Sequence, residues 1–273
     1  AWSLVNLIRQ FCDEFEVIIP SKCHSAGTLM SLGANTIVMT KQATLGPIDP
    51  SLNGPLNPQN PQAPQNPQAR VPVSVESIKG YFELAQQDLK IQNENELKDI
   101  LINLSNQVHP LVLGDVYRSR TQIQMLAKKL LSKQIKDAEN IEKIISFLCS
   151  DSGSHDYTIY RREAKNELGL NIEKPDDDFY EIIKKTFNDI KFELKLNTAF
   201  DPNVILGNQL SVDYSCRRVL IESVDSGTNV YVSEGSLIKN VQNIQQQPPL
   251  PPIQRTLIDD QRKFEGWKTE NQK

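Results

Sequence analysis

The stretch from Phe15 to Pro50 restricts the fold more than any other part of the chain. Phe15-Glu16-Val17-Ile18-Ile19-Pro20 is a short, β-branched apolar run, which reads as a buried strand. A tight connection, Ser21 to His24, leads into Ser25-Ala26-Gly27-Thr28-Leu29-Met30-Ser31-Leu32-Gly33, a small-residue helix closed by Gly33. A second strand, Asn35 to Met39, and the segment Ala43-Thr44-Leu45 follow, then the turn Gly46-Pro47-Ile48-Asp49-Pro50. Helix alternating with buried strand predicts an α/β layered domain.

The flanking segments fill out this frame. Trp2, Val5, Ile8 and Cys12 have helical spacing ahead of the first strand. Residues 53–72 interrupt the pattern with a near-repeat, Asn57-Pro58-Gln59-Asn60-Pro61-Gln62, then Ala63-Pro64-Gln65 and Asn66-Pro67-Gln68. Regularly spaced prolines remove backbone donors, so the expectation is an extended, solvated loop of polyproline character. Four helical stripes follow: Val75 to Leu89 behind a Ser74 cap, Leu97 to Val108, Val116 to Leu130, and Ile141 to Leu148. A helix from Ile159 stops at Gly169, and another runs from Phe179 to Ile190, with Asp176-Asp177-Asp178 suiting its N-terminal dipole. Arg218 to Val224 and Asn229 to Ser233 alternate like strands across Asp225-Ser226-Gly227-Thr228, a hairpin signature. The Gln- and Pro-rich stretch after Gln242 predicts a disordered tail.

Composition excludes several classes. A net charge of −4 leaves no electrostatic footprint for nucleic acid. Cys12, Cys23, Cys149 and Cys216 are scattered without a Cys-x-x-Cys pair, which points to neither a zinc knuckle nor a disulfide framework, and fits a reducing, cytoplasmic compartment. No apolar run approaches the ~20 residues of a membrane helix. The chain begins inside an amphipathic pattern without an initiator Met, so the expectation is a fragment whose natural N-terminus, with any signal or anchor on it, lies upstream.

Ser25 stands where a strand turns into a helix. A serine hydroxyl becomes nucleophilic when a base takes its proton, and it needs an exposed, fixed position beside backbone donors. Ala26 and Gly27 leave room for a substrate backbone there. On local sequence alone, capping the helix is the commoner role of such a serine.

The longer pattern shifts that balance. Ser25-Ala26-Gly27-Thr28-Leu29, then Leu32-Gly33-Ala34-Asn35-Thr36-Ile37-Val38-Met39, then Ala43-Thr44-Leu45-Gly46-Pro47-Ile48-Asp49-Pro50 resembles the serine dehydrogenase proteinase family. That family is a distant relative of the Clp proteolytic subunit, signal peptide peptidase A and the crotonase-like group. Tyr157-Thr158 to Glu163-Ala164 and Leu168-Gly169-Leu170 look like the segment after the Clp acid residue, and the likeness runs to about residue 238. The resemblance implies a Clp/crotonase-like layered fold with added helices and a C-terminal β-hairpin region. The expected divisions are a peptidase domain at 1–172, an α+β extension at 173–241 and the tail at 242–273.

The resemblance also implies a serine peptidase working through an acyl-enzyme, with a Ser/His/Asp set, no cofactor, no metal, a peptide or protein substrate and a homo-oligomeric assembly. Ser25 is then the nucleophile, Asp49 the acid, and Ala26 and Gly27 part of the oxyanion and substrate-binding wall. The base is either His155, near the place of the Clp acid, or His109, whose Val108-His109-Pro110-Leu111 segment looks like the Clp histidine segment. With His109 as base, Asp156 becomes a plausible acid. His24, adjacent to Ser25, is read as a neighbour of the site. Lys79, the candidate for a Ser-Lys dyad, lies in a helical pattern and lacks a Gly-x-x-Lys context. Relatives place part of the oxyanion hole on an upstream Gly-Gly loop, which the 24 residues before Ser25 do not contain, so impaired activity is expected of this polypeptide. The alternatives are an inactive peptide-binding or scaffolding relative, and acyl-thioester chemistry on the same frame.

Overall fold

The structure is a computed structural model that describes residues 1–151, 154, 156–244 and 253–270. Two compact units, Ala1–Tyr180 and Glu181–Lys273, divide the chain. The first boundary therefore lies beyond the residue 172 expected from sequence, because Ile172 and Glu173 pair with a strand of the first unit.

The first unit opens with α1 (Trp2–Ile8), β1 (Glu16–Ile19), β2 (Lys22–Cys23), α2 (Ala26–Ser31), β3 (Thr36–Met39) and β4 (Thr44–Leu45). A short pair, β5 (Ser51–Leu52) and β6 (Val73–Ser74), precedes α3 (Val75–Glu83), which runs on into a π-helical turn at Leu84–Asp88. Then come α4 (Glu94–Gln107), α5 (Pro110–Leu131) and α6 (Ala138–Ser146), the last continuing as a π-helical turn at Phe147–Asp151. The unit closes with β7 (Ile159–Tyr160), α7 (Arg161–Asn166), β8 (Ile172–Glu173) and the start of α8 (Asp177–Glu193).

The first four strands alternate between two sheets. One has the order β1-β3-β8, all parallel. The other has the order β2-β4-β7, with β2 and β4 parallel and β7 antiparallel to β4. The mixed α/β class expected from sequence is what the structure has. Central β3 buries Ile37, Val38 and Met39 in succession, as a strand covered on both faces does. β1 was expected to be buried but is an edge strand, with Ile18 46% exposed and Ile19 inside.

The core joins Leu29 of α2 and Leu32 at its C-terminal cap to Ala127, Leu130 and Leu131 of α5 and to Ile141, Ile144 and Ile145 of α6. Each large apolar side chain so buried contributes roughly 1.5–3 kcal/mol relative to exposure. Ser74 caps α3 by accepting the Ser77 amide, as the sequence predicts. The stripe on α4 is a different matter. None of its residues is buried, and Leu101 is 49% exposed.

The Pro- and Gln-rich loop is not extended. Ala63 N–H donates to Asn60, Asn66 N–H to Ala63 and Ala69 N–H to Asn66, each at 3.0 Å, so three turns follow one another. Pro61, Pro64 and Pro67 each occupy the second position of a turn, where their fixed φ fits. The residues between them keep the amides that close the turns, and the polyproline expectation overlooked those donors. Asn60 N–H to Ala69 (2.9 Å) and Val71 N–H to Pro58 (2.8 Å) shut the loop into a compact body. At its base the buried Asn57 donates through Nδ2 to the carbonyls of Leu52 (2.8 Å) and Val71 (3.0 Å).

The second unit contains most of α8, then α9 (Pro202–Leu206), β9 (Ser211–Ser223), β10 (Gly227–Ile244) and β11 (Ile253–Glu270), in an antiparallel sheet of order β11-β10-β9. The expected hairpin joins β9 to β10. The expected disordered tail is contradicted at residues 253–270, which pair with β10 along its length. Cross-strand partners stabilise this charged strand: Lys268 with Glu234 at 2.7 Å, and Tyr214 Oη donating to Asp260 at 2.6 Å. Among the described residues no helix is long and apolar enough to cross a membrane.

Asn57→Ala removes the donor that ties the two ends of the turn-built loop. It should cost about 1–3 kcal/mol and open residues 53–72 to protease, measurable by thermal unfolding and limited proteolysis. An unchanged midpoint with an unchanged cleavage pattern would show that Asn57 does not hold the loop.

Candidate active site

Ser25 connects β2 to α2 with φ 52° and ψ −112°. That region belongs almost entirely to glycine, and a residue with a Cβ is held there at a cost of about 1–3 kcal/mol. The serine side chain makes no capping bond to α2, so the common role for a serine at this position is not the one adopted. A sharp strand-to-helix turn with positive φ pushes the side chain out of the backbone run, as nucleophile turns do. Ser25 lines a cavity of about 850 Å³.

The other walls come from three places. α2 contributes Ala26 and Leu29; the turn after β4 contributes Ile48, Asp49 and Pro50; α5 contributes Ile123, Leu126 and Lys129. Trp2 of α1 closes a side, with the Lys129 ammonium 5.6 Å from its ring centre. The cavity therefore sets an apolar wall of Leu29, Ile48, Ile123 and Leu126 beside a polar set of Ser25, Ser51, Gln122, Lys129 and the buried carboxylate of Asp49.

Asp49 is 3% exposed, and its turn is bonded from three sides. Gly46 N–H donates to the Thr28 hydroxyl at 3.0 Å, Ile48 N–H to the Leu148 carbonyl at 2.8 Å, and Val75 N–H to the Pro50 carbonyl at 3.3 Å. α2, the turn after α6 and the start of α3 thus all hold one short segment. Nearby, Ser150 donates to Glu76 at 3.4 Å and Arg120 donates to Ser150 at 3.3 Å. Burial raises the Glu76 carboxyl above the ordinary glutamate range, and the charge of Asp49 adds to this; Lys79, Arg120 and the Ser150 bond oppose it.

The residues expected from sequence meet different outcomes. Ser25, Asp49 and Ala26 share one cavity. Ala26 is the first helical residue of α2, so its amide has no acceptor within the helix. Gly27 is not in the cavity wall: its amide donates to the His24 carbonyl at 3.0 Å, and a Cβ on it would come within 2.8 Å of Cys23 Sγ. Its smallness serves packing against Cys23, whose thiol burial pushes up in pKa. The His24 ring has Nε2 3.0 Å from Thr44 Oγ1 and lies against Gly46, where a Cβ would come within 2.9 Å.

His109 is not brought to Ser25. It caps α5 through Nδ1, which accepts the Leu111 amide at 3.2 Å, and it is exposed. The first α5 residue in the cavity wall is Gln122, some 20 Å further along the helix at 1.5 Å per residue. His155 lies outside the described residues. Asp156 is exposed, its amide donating to the Ser154 hydroxyl at 3.2 Å. Lys79 pairs with Glu83 at 3.2 Å on α3.

Sequence reasoning missed Thr28 and the Glu76–Ser150–Arg120 chain. Thr28 follows Ser25 by one helical turn, on the side that buries Leu29 and Leu32, and a hydroxyl on a core-facing stripe signals an obligatory partner. Nothing local links Glu76 to Ser150, because helix packing alone joins them.

The chain is 31% identical over 174 residues to an uncharacterized protein of Methanocaldococcus jannaschii, a match covering 63% of this chain and 48% of the relative. The match thus spans about half the length of that relative. No family model and no solved structure matches.

The backbone at Ser25 makes a test that separates turn from cap. Ser25→Ala should change stability by less than about 0.5 kcal/mol, whereas loss of a cap costs about 1 kcal/mol. Ser25→Gly should raise stability by about 1 kcal/mol through relief of the positive φ. Denaturant unfolding of both variants measures this, and a destabilised Ser25→Ala would return the residue to a capping role.

Proposed function

We propose that the chain is a serine hydrolase of the Clp/crotonase-like layered fold, cleaving peptide bonds through an acyl-enzyme on Ser25. One observation carries this reading: Ser25 is held at positive φ, without a capping bond, in the wall of a cavity that also contains buried Asp49. Strain of this kind is retained where surrounding packing enforces it and where an exposed side chain has a use. The alternation of β1 to β4 between two sheets supports the layered fold. The Ser25-to-Pro50 pattern supports the family.

In the proposed reaction Ser25 Oγ attacks the substrate carbonyl while a histidine takes its proton. The same imidazolium then returns the proton to the leaving amine, and water, activated in turn, releases the acyl group. The Ala26 amide lies beside the nucleophile and supplies an oxyanion donor. Asp49 orients the base. His155 takes that role in preference to His109. Its chain segment follows Leu148, which bonds the residue next to Asp49, whereas His109 stands at the far end of α5. The apolar wall of Leu29, Ile48, Ile123 and Leu126 suits a side chain of a peptide substrate.

Self-association is part of the same proposal. Leu101 and Ile102 on α4 expose apolar surface that a second copy would cover.

A fluorophosphonate probe should label Ser25 in the full-length protein, and Ser25→Ala should abolish labelling. His155→Gln and Asp49→Asn should each slow labelling by about a hundredfold or more, while His109→Gln stays within about twofold of wild type. No label at Ser25 would sink the hydrolase reading and leave a peptide-binding role. For assembly, Leu101→Asp with Ile102→Asp should lower the mass in sedimentation equilibrium to that of a smaller species; an unchanged mass places the contact elsewhere.

A further inference from the structure

We infer that Thr28 is a positioning residue that sets the spacing between the nucleophile turn and the turn carrying Asp49, an inference that rests on the reading of Ser25 and Asp49 as partners in one site. The ladder between β2 and β4 is only two residues long, Lys22 with Thr44 and Cys23 with Leu45. It ends where the two functional segments begin. Beyond it the Cys23 carbonyl and the Gly46 amide do not bond each other. The Thr28 hydroxyl lies between them, donating to Cys23 O at 2.8 Å and accepting from Gly46 N at 3.0 Å. A single oxygen thereby relays the ladder and holds the strands apart by its own width.

Thr28 is fully buried, so no water competes for either bond. It stands one turn after Ser25 on α2, and the residue it holds, Gly46, lies two positions before the turn's next tether, Ile48 to Leu148. The His24 ring, bonded to Thr44 and packed on Gly46, braces the same junction from its other side. Removing the hydroxyl while keeping the side-chain shape lets Gly46 and Cys23 close up or part, and either movement shifts Asp49 relative to Ser25. A displacement of this kind disturbs the reacting geometry and leaves the apolar binding wall in place.

The test compares Thr28→Val, Thr28→Ser and Thr28→Cys in the full-length protein, with Ile141→Val as a core control outside the site. Fluorophosphonate labelling rate at Ser25, kcat and KM on a peptide ester, and thermal midpoint are measured on each. Thr28→Val should slow labelling and lower kcat at least tenfold with KM within twofold. Thr28→Ser, which keeps the oxygen, should stay within threefold, and Thr28→Cys, with a longer and weaker bond, should fall between. If Thr28→Val does not fold, the ordering of Thr28→Cys below Thr28→Ser at matched thermal midpoint carries the test. Val labelling at the wild-type rate, Cys equal to Ser, or Ile141→Val losing kcat in proportion to stability as the Thr28 variants do, overturns the inference. A wild-type protein without label at Ser25 sinks the hydrolase reading and this inference together; a labelled wild type with an equally fast Thr28→Val sinks the inference alone.

Discussion

A turn buried in a core must find a partner for every backbone group it removes from water, and the Gly46–Pro50 turn is such a place in this protein. Helices and sheets satisfy most of their own amides, whereas this turn relies on groups from outside it. Gly46, Ile48 and Pro50 are bonded instead to Thr28, Leu148 and Val75, which come from three separate elements. Each bond contributes only about 1 kcal/mol net, but leaving one of these groups unpaired costs more than the bond is worth. The three elements are thereby committed to one arrangement around Asp49. The carboxylate lies inside because its turn is pinned, and the cavity exists because α2, α5 and the turn meet there.

The strained backbone at Ser25 depends on the same packing. A non-glycine residue at φ 52° would relax if the chain on either side were free. Behind it, Lys22 and Cys23 are paired with β4; ahead of it, Thr28 and Leu29 are fully or nearly buried. Small residues let these elements approach: Gly27 accommodates Cys23, and Gly46 accommodates the His24 ring. The stored strain is the counterpart of a rigid surround, and rigidity is what a nucleophile needs to keep its orientation without reorganising.

The second unit is stabilised by a different balance. Its sheet is built of long strands with a modest apolar cluster, Leu206, Tyr214 and Leu237, under a surface of cross-strand ion pairs and hydrogen bonds. Exposed pairs of this kind each contribute little. Backbone pairing along most of β10 on both its edges supplies the continuity that the small cluster does not.

What the sequence by itself determined is whatever depends on residues within a few positions of one another. The alternation from Phe15 to Pro50, the Ser74 cap, the buried stripes of α5 and α6 and the hairpin at 225–228 rest on short periods or on local capping and turn chemistry, and all are present in the structure. Tertiary structure alone decided the rest. The Asn-Pro-Gln repeat curls into turns because Asn57 and Val71 close it, and β11 is a strand because β10 offers it partners. His109 is set apart from the cavity by more than three turns of α5. Asp49 is buried and Ser25 strained because Thr28, Leu148 and Val75 converge on one turn, and no local pattern records which distant backbone groups will meet.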